Sequence, residues 1–260
     1  MKDDIRKLLE IAIYAGKLML ENGAETYRVE ETINLICKSK GIDRTQNFTI
    51  PTAIFLSCEH DGEFYSYIER TKSIRIDLEI ISLVNDFSRE FVNAEMSLDT
   101  ANEKLKAIAN APMYPPWIMN IFGGVAGSFF ILMFGGNLIE FTMAFITSFT
   151  VVFGVRKMGK FTGSFFIKNV LGGMISTLGA LCLVYLAKDY FDLLRVDKII
   201  IGSIMPLVPG VAITNALRDS ISGDFVSGMS KLSEAVIIAV AIAIGVGAIL
   251  NVELLILGGV

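Results

Sequence analysis

Residues 201–219 read Ile201-Gly-Ser-Ile-Met-Pro206-Leu-Val-Pro209-Gly210-Val-Ala-Ile-Thr-Asn215-Ala-Leu-Arg218-Asp219, an apolar run with two prolines and a glycine near its centre. Each proline removes a backbone N–H, and its ring clashes with the carbonyl four residues earlier. The spacing therefore predicts that carbonyls near Gly202 and Met205 lose their helical partners. If the run crosses lipid, such groups must face protein or a water-filled cavity. A helix broken at mid-depth is one way a membrane protein presents backbone dipoles to a solute. Asn215, Arg218 and Asp219 end the run, and Ser222, Gly223 and Asp224 follow it. A guanidinium and carboxylates at a cavity mouth match the two charges of an amino acid, or the carboxylates of an organic acid. A kinked helix whose polar end lies at the membrane surface fits the same residues. The pattern alone leaves the two readings open.

The neighbouring sequence is also apolar. Residues 112–260 carry 9 Lys/Arg and 8 Asp/Glu, clustered between five apolar stretches. These predict five transmembrane helices, approximately 116–136, 138–155, 165–187, 199–217 and 235–259. Each is long enough to cross the ~30 Å hydrocarbon core. Pro112, Pro115 and Pro116 open the series, with Tyr114 and Trp117 placed as interfacial aromatics. The charges inside the stretches, Glu140, Lys168 and Glu253, lie near their ends, where they can snorkel or reach the interface. Small residues recur every four positions at Gly123 and Gly127, at Gly172, Ser176 and Ala180, and at Ala235, Ala239, Ala243 and Gly247. Such faces predict close helix packing. Arg156, Lys157, Lys160, Arg218 and Lys231 outnumber the basic residues of the 3–4 connection, Lys188, Arg195 and Lys198. The positive-inside rule then puts the N-terminus in the cytoplasm and the C-terminus outside.

Residues 1–111 are different in kind, with 14 Lys/Arg against 19 Asp/Glu. Charges at Glu10, Lys17 and Glu21 interrupt any signal-peptide core. Ile5, Leu8, Leu9, Ala12, Ala15 and Met19 predict an amphipathic helix over 3–22 that stops at Gly23. A second helix is expected over 26–40, capped by Thr26 and ended by Gly41. Residues 45–57 read as a strand, with Pro51 marking an edge or a bulge. Asp61-Gly62 predicts a hairpin turn into a strand over 63–70, with 73–76 a candidate third strand. Helices follow over 78–93 and 98–109, the second capped by Ser97. The expected fold is thus a small cytoplasmic α+β domain (1–111) followed by a membrane α-helical bundle of five transmembrane helices (112–260). Glu25, Arg28, Glu30 and Glu31 form a charged group on the second helix, for which solvated (i, i+3) pairing is the simplest account.

Composition excludes several classes. No basic stripe speaks for nucleic acid. Cys37, Cys58 and Cys182 are odd in number and far apart, which argues against a disulfide framework. His60 is the only histidine, so no multi-histidine metal site is available, and neither metal nor cofactor is expected. No nucleophile elbow, phosphate-binding loop or paired-cysteine motif appears, so an enzyme is not expected. A membrane-anchored enzyme, or a sensor whose cytoplasmic domain binds a small ligand, is the competing reading.

Gly23-Ala-Glu-Thr-Tyr-Arg-Val-Glu30, Ile50-Pro-Thr52, and above all Met205-Pro-Leu-Val-Pro-Gly210 with Arg218-Asp219 and Gly223-Asp224 carry a resemblance over nearly the whole chain. The sequence resembles the threonine/serine exporter family in its split, two-subunit form. Fused members of that family have a soluble domain and about ten spans; only five are found here. The resemblance therefore implies a second small membrane subunit as partner. It implies export across the inner membrane of threonine and serine, or of the dicarboxylate succinate, driven by the proton gradient. A homo-oligomer is compatible with it. On this reading Pro206, Pro209 and Gly210 line the pathway, and Asn215, Arg218, Asp219 and Asp224 contact or gate the solute. Glu25, Arg28 and Glu30 are the candidates in the soluble domain. No carboxylate lies at the centre of a span, so a proton carrier would come from the partner or from the end residues.

Overall fold

The computed structural model describes residues 2–71, 75–159, 161–191 and 194–257. They group into two compact units, residues 1–112 with 210–233, and residues 113–209 with 234–260.

The first unit begins with α1 (Lys2–Glu21) and α2 (Thr26–Lys38). The apolar stripe read from the sequence of α1 is buried, and its Leu9, Ala12 and Met19 pack with Val29, Ile33 and Ile36 of α2. The next three elements are β1 (Thr45–Ile50), β2 (Ala53–His60) and β3 (Glu63–Arg70), an antiparallel sheet in the order β1-β2-β3. One expected strand, 45–57, is in fact two. Ile50 pairs with Ala53, so Pro51-Thr52 is a two-residue hairpin turn rather than an edge or a bulge. Proline's fixed φ and missing donor suit a turn better than a ladder. The second hairpin is as expected, with positive φ at Asp61 (52°) and Gly62 (77°), the paired left-handed geometry of a tight hairpin turn. The candidate strand at 73–76 falls partly on residues 72–74, outside the described residues, and Arg75 and Ile76 are not in a strand.

Helices α3 (Leu78–Asn93) and α4 (Leu98–Ala109) complete the core with Ile80, Val84, Phe91 and Leu105. Ser97 caps α4 by accepting from the Thr100 N–H, and Asp77 caps α3 by accepting from Ile80. Thr26 does not cap α2. The cap position is Glu25, whose side chain makes no cap bond, and the Thr26 hydroxyl is used elsewhere.

Two further stretches belong to this unit: α9 (Gly210–Ile221) and the first residues of α10 (Phe225–Leu257). They form a tight hairpin. Asp224 turns its N–H back to the Asp219 carbonyl at 2.9 Å and accepts from the Ser227 N–H at 3.0 Å. A Cβ on Gly228 would meet the Ala216 carbonyl at 2.9 Å, so only glycine allows this approach.

The second unit contains α5 (Pro116–Met133), α6 (Leu138–Met158), α7 (Phe165–Ala187), α8 (Val196–Ile204) and the rest of α10. Among the described residues, four helices are long and apolar enough to cross a membrane, namely α5, α6, α7 and α10. A fifth span arises only if α8 and α9 count as one broken helix. Several of the expected boundaries move, the fourth run among them, which starts at Val196 and ends at Ile221. The first span ends at Met133, because Gly135 turns the chain and Asn137 starts α6 with a capping box closed by Glu140. The second runs on to Met158. The last begins ten residues early, at Phe225, making a helix of 33 residues, about 50 Å long at 1.5 Å per residue.

Of the predicted small-residue faces, Gly123 packs tightly on Val152, Gly172 on Leu207, and Gly127 is packed more tightly still. Its Cβ would meet the Gly202 carbonyl at 2.8 Å, so α5 and α8 touch backbone to backbone. Against α10 the close contact is made by Gly173 and Gly245, whereas Gly247, expected in the stripe, faces open space.

Candidate functional site

The fourth apolar run is broken where its prolines stand. Helix α8 stops at Ile204, Met205–Leu207 form a 3-10 turn, Val208 is extended (φ −63°, ψ 129°), and α9 starts at Gly210. The carbonyls of Gly202 and Met205 do not lose their partners, contrary to the expectation. Gly202 accepts from the Met205 N–H and Met205 from the Val208 N–H at 3.1 Å. Tightening from α to 3-10 pitch recovers bonds that the prolines would otherwise remove. None of the residues 205–210 is buried.

Just before the break, α8 is surrounded by hydroxyls that the sequence reading did not single out as a group. The Ser203 hydroxyl donates to the Ile200 carbonyl at 3.0 Å and pairs with the Ser176 hydroxyl of α7. Ser148 of α6 donates to the Ser203 carbonyl at 3.4 Å. Ser128, Ser148, Ser176 and Ser203 are all fully buried. On α5, Asn120 is buried and its Oδ1 has no partner among the described residues. Glu140, expected near an interface, is fully buried and is held by Arg195. Its Oε1 accepts from the Arg195 N–H at 3.0 Å and from Nε at 3.2 Å, and its Oε2 from Nη2 at 3.1 Å.

In the first unit, the structure brings together most of the charged residues flagged in the sequence. Asn215 donates to the Gly23 carbonyl at 2.9 Å. The Arg218 guanidinium is paired with Glu25, which Arg28 also approaches at 3.8 Å. The Thr26 hydroxyl donates to Asp224 at 3.1 Å. Glu30 is half-buried and accepts from the Thr49 N–H at 2.8 Å, while the Ser227 hydroxyl donates to the Thr49 carbonyl at 3.4 Å. The motif Gly23–Glu30 and the pair Arg218-Asp219 with Asp224 are therefore neighbours in space. Pro206 and Pro209 belong to the other unit, and Gly210 has open space where a Cβ would be.

Asp219 is the most buried of the set. Its Oδ2 accepts from Lys231 at 2.7 Å, with side-chain exposures of 0% and 7%. Its Oδ1 has no partner among the described residues, and neither has the buried Thr49 hydroxyl. In the sequence Lys231 reads only as a loop charge. Its place twelve residues beyond Asp219, across a Gly-Asp turn, was the available signal.

The electrostatics divide the carboxylates. Burial pushes the Glu30 carboxyl above its usual range; the Thr49 N–H opposes this, and the charges of Asp224 and Asp219 add to it. Burial also acts on Asp224, but hydrogen bonds from Ser227 and Thr26 and the charge of Lys231 outweigh it and hold that carboxyl below its usual range.

Among the described residues, fold and site together define a mostly helical, multi-pass membrane protein with four candidate spans, or five if the bent α8–α9 pair is one, and a small three-stranded antiparallel sheet. Comparison with known proteins gives the family. The threonine/serine exporter family model matches residues 10–252, and the chain belongs to that family. It is 23% identical over 247 residues to a threonine/serine exporter of Corynebacterium glutamicum, covering 92% of this chain and 50% of that protein. It is 21% identical over 251 residues to a "probable threonine/serine exporter" of Mycobacterium tuberculosis, covering 94% and 46%. This chain thus spans about half the length of those two relatives. A "probable succinate transporter subunit YjjP" of Klebsiella aerogenes is 22% identical over 257 residues, covering 94% of this chain and 93% of that protein. No solved structure matches significantly.

Proposed function

We propose that this chain is one subunit of an inner-membrane exporter for small polar metabolites. The observation that carries the reading is the bent α8–α9 pair, a broken span or a re-entrant loop, within a chain of the exporter family whose other candidate spans are unbroken apolar helices. In transporters such breaks expose backbone dipoles to the solute. The half-length match to the threonine/serine exporter relatives, together with the nearly full-length match to a probable transporter subunit, supports a second membrane subunit as partner. The substrates named for the relatives are threonine with serine, and succinate, and both stand as candidates here. The basic-residue bias supports a cytoplasmic N-terminal domain and an outside C-terminus. Pro206, Pro209 and Gly210 line the pathway. Asn215, Arg218, Asp219 and Asp224, with Glu25, Arg28 and Glu30, form a charged gate. The proton gradient is the proposed driving force, and the chain acts as a carrier rather than a catalyst.

The test is efflux of labelled threonine, serine and succinate from cells expressing this chain, with and without its small membrane partner. Efflux of one class above background, dependent on the chain, supports the reading. No efflux of any of the three in the presence of the partner contradicts it. Collapsing the gradient in loaded vesicles tests the coupling separately: undiminished flux rules out proton drive.

A further inference from the structure

Around Asp219 the first unit collects three carboxylates, Glu30, Asp219 and Asp224, against one ammonium, Lys231. Lys231 is committed to Asp219 Oδ2. Asp224 is satisfied by Thr26 and by the Ser227 N–H. What remains is an acceptor surplus. Asp219 Oδ1 and the Thr49 hydroxyl are buried with no partner among the described residues. An unmatched buried acceptor such as Asp219 Oδ1 costs free energy unless a donor reaches it. Clustered carboxylates supply such a donor when one of them binds a proton.

Of the three, Glu30 is the one placed to do so. It is half-buried, whereas Asp219 is fully buried and already committed to Lys231. No cation is paired with it among the described residues, and its one side-chain bond is from the Thr49 N–H. The other charged groups around it are accounted for. On its own helix, Glu25 pairs with both Arg28 and Arg218, and Glu31 is exposed. Strand β1 carries no charged residue. On α1, Lys17 is paired with Glu69, and on α3, Glu90 is paired with Lys104. The charges that act on Glu30 are those of Asp219 and Asp224.

We infer that Glu30 is a proton-binding residue, and that its protonation fastens the α9–α10 hairpin to α2 and β1. The inference concerns the first unit alone and holds whichever solute is moved. Its sign follows from the raised carboxyl. The fastened state binds the proton more tightly than the released state, so fastening is strongest at low pH and is lost as pH rises through the elevated Glu30 value.

The test is hydrogen exchange at the amides of residues 210–233, in the full chain in lipid nanodiscs, across pH 5–8 and corrected for intrinsic rates. The expected result is an opening constant that rises with pH, by at most about tenfold per unit, as for one proton. Glu30→Gln mimics the protonated state and should flatten that profile at the protected end. Asp224→Asn keeps a competent helix cap but removes a like charge, and should move the midpoint to lower pH. A flat wild-type profile would overturn the inference. So would an unchanged pH dependence in Glu30→Gln, or an unmoved midpoint in Asp224→Asn. These readouts are independent of efflux, so failure of the exporter reading would leave them intact.

Discussion

Asp219 and Lys231 show what a single buried charge demands. With both side chains almost wholly withdrawn from water, each stabilises the other only while both are present. Lys231→Met should therefore destabilise the chain by about 3–5 kcal/mol, because it strands the Asp219 charge. Adding Asp219→Asn to that variant should recover a large part of the loss, and unfolding of the purified chain in detergent measures both. Arg218 and Glu25 differ, since the guanidinium is half-exposed. Their coupling in a double-mutant cycle should be under about 1 kcal/mol. The effect of Arg218→Lys should instead fall on efflux, through the lost planar fork. Full transport in that variant would remove Arg218 from the gate. These roles were only half visible in the sequence. Arg218, Asp219 and Asp224 stood out beside the prolines, and Glu25 and Glu30 within a motif. Their pairing did not, because nearly two hundred residues separate the partners and no local periodicity reports such contacts.

Among the elements, the amphipathic helix α1 and the Asp61-Gly62 hairpin were legible because each follows a local rule, burial at helical spacing or positive φ. In the sequence Pro51 reads as an edge or a bulge, because two strands of similar composition adjoin the Pro51-Thr52 turn. The membrane helices lack an amphipathic face, so their composition revealed their presence but not their contacts. Glycine identifies those contacts in the structure. A Cβ on Gly245 would overlap the Val170 backbone, whereas one on Gly247 would meet nothing within 4 Å. Gly245→Ala should accordingly cost about 1–3 kcal/mol through forced separation of α7 and α10. Gly247→Ala should be close to neutral or slightly stabilising. Equal thermal stability of the two variants would contradict this packing.

For the molecule as a whole, the central claim is that the interruption between α8 and α9 borders a solute route. The run's own backbone groups are largely satisfied through 3-10 bonds, so unsatisfied carbonyls at Gly202 and Met205 are not the argument for a wet route. Beside the break itself, buried serines hydrogen-bond to and around α8, and none of the residues from Met205 to Gly210 is buried within the chain. The most direct measurement is thiol labelling of the assembled exporter in membranes. Cys37, Cys58 and Cys182 are replaced, and single cysteines are placed at Met205, Val208 and Gly210. The account predicts that a charged thiol reagent modifies these positions and that transported solute slows the reaction at one or more of them. Inert cysteines at all three positions, in an assembly that still exports its solute, would contradict it.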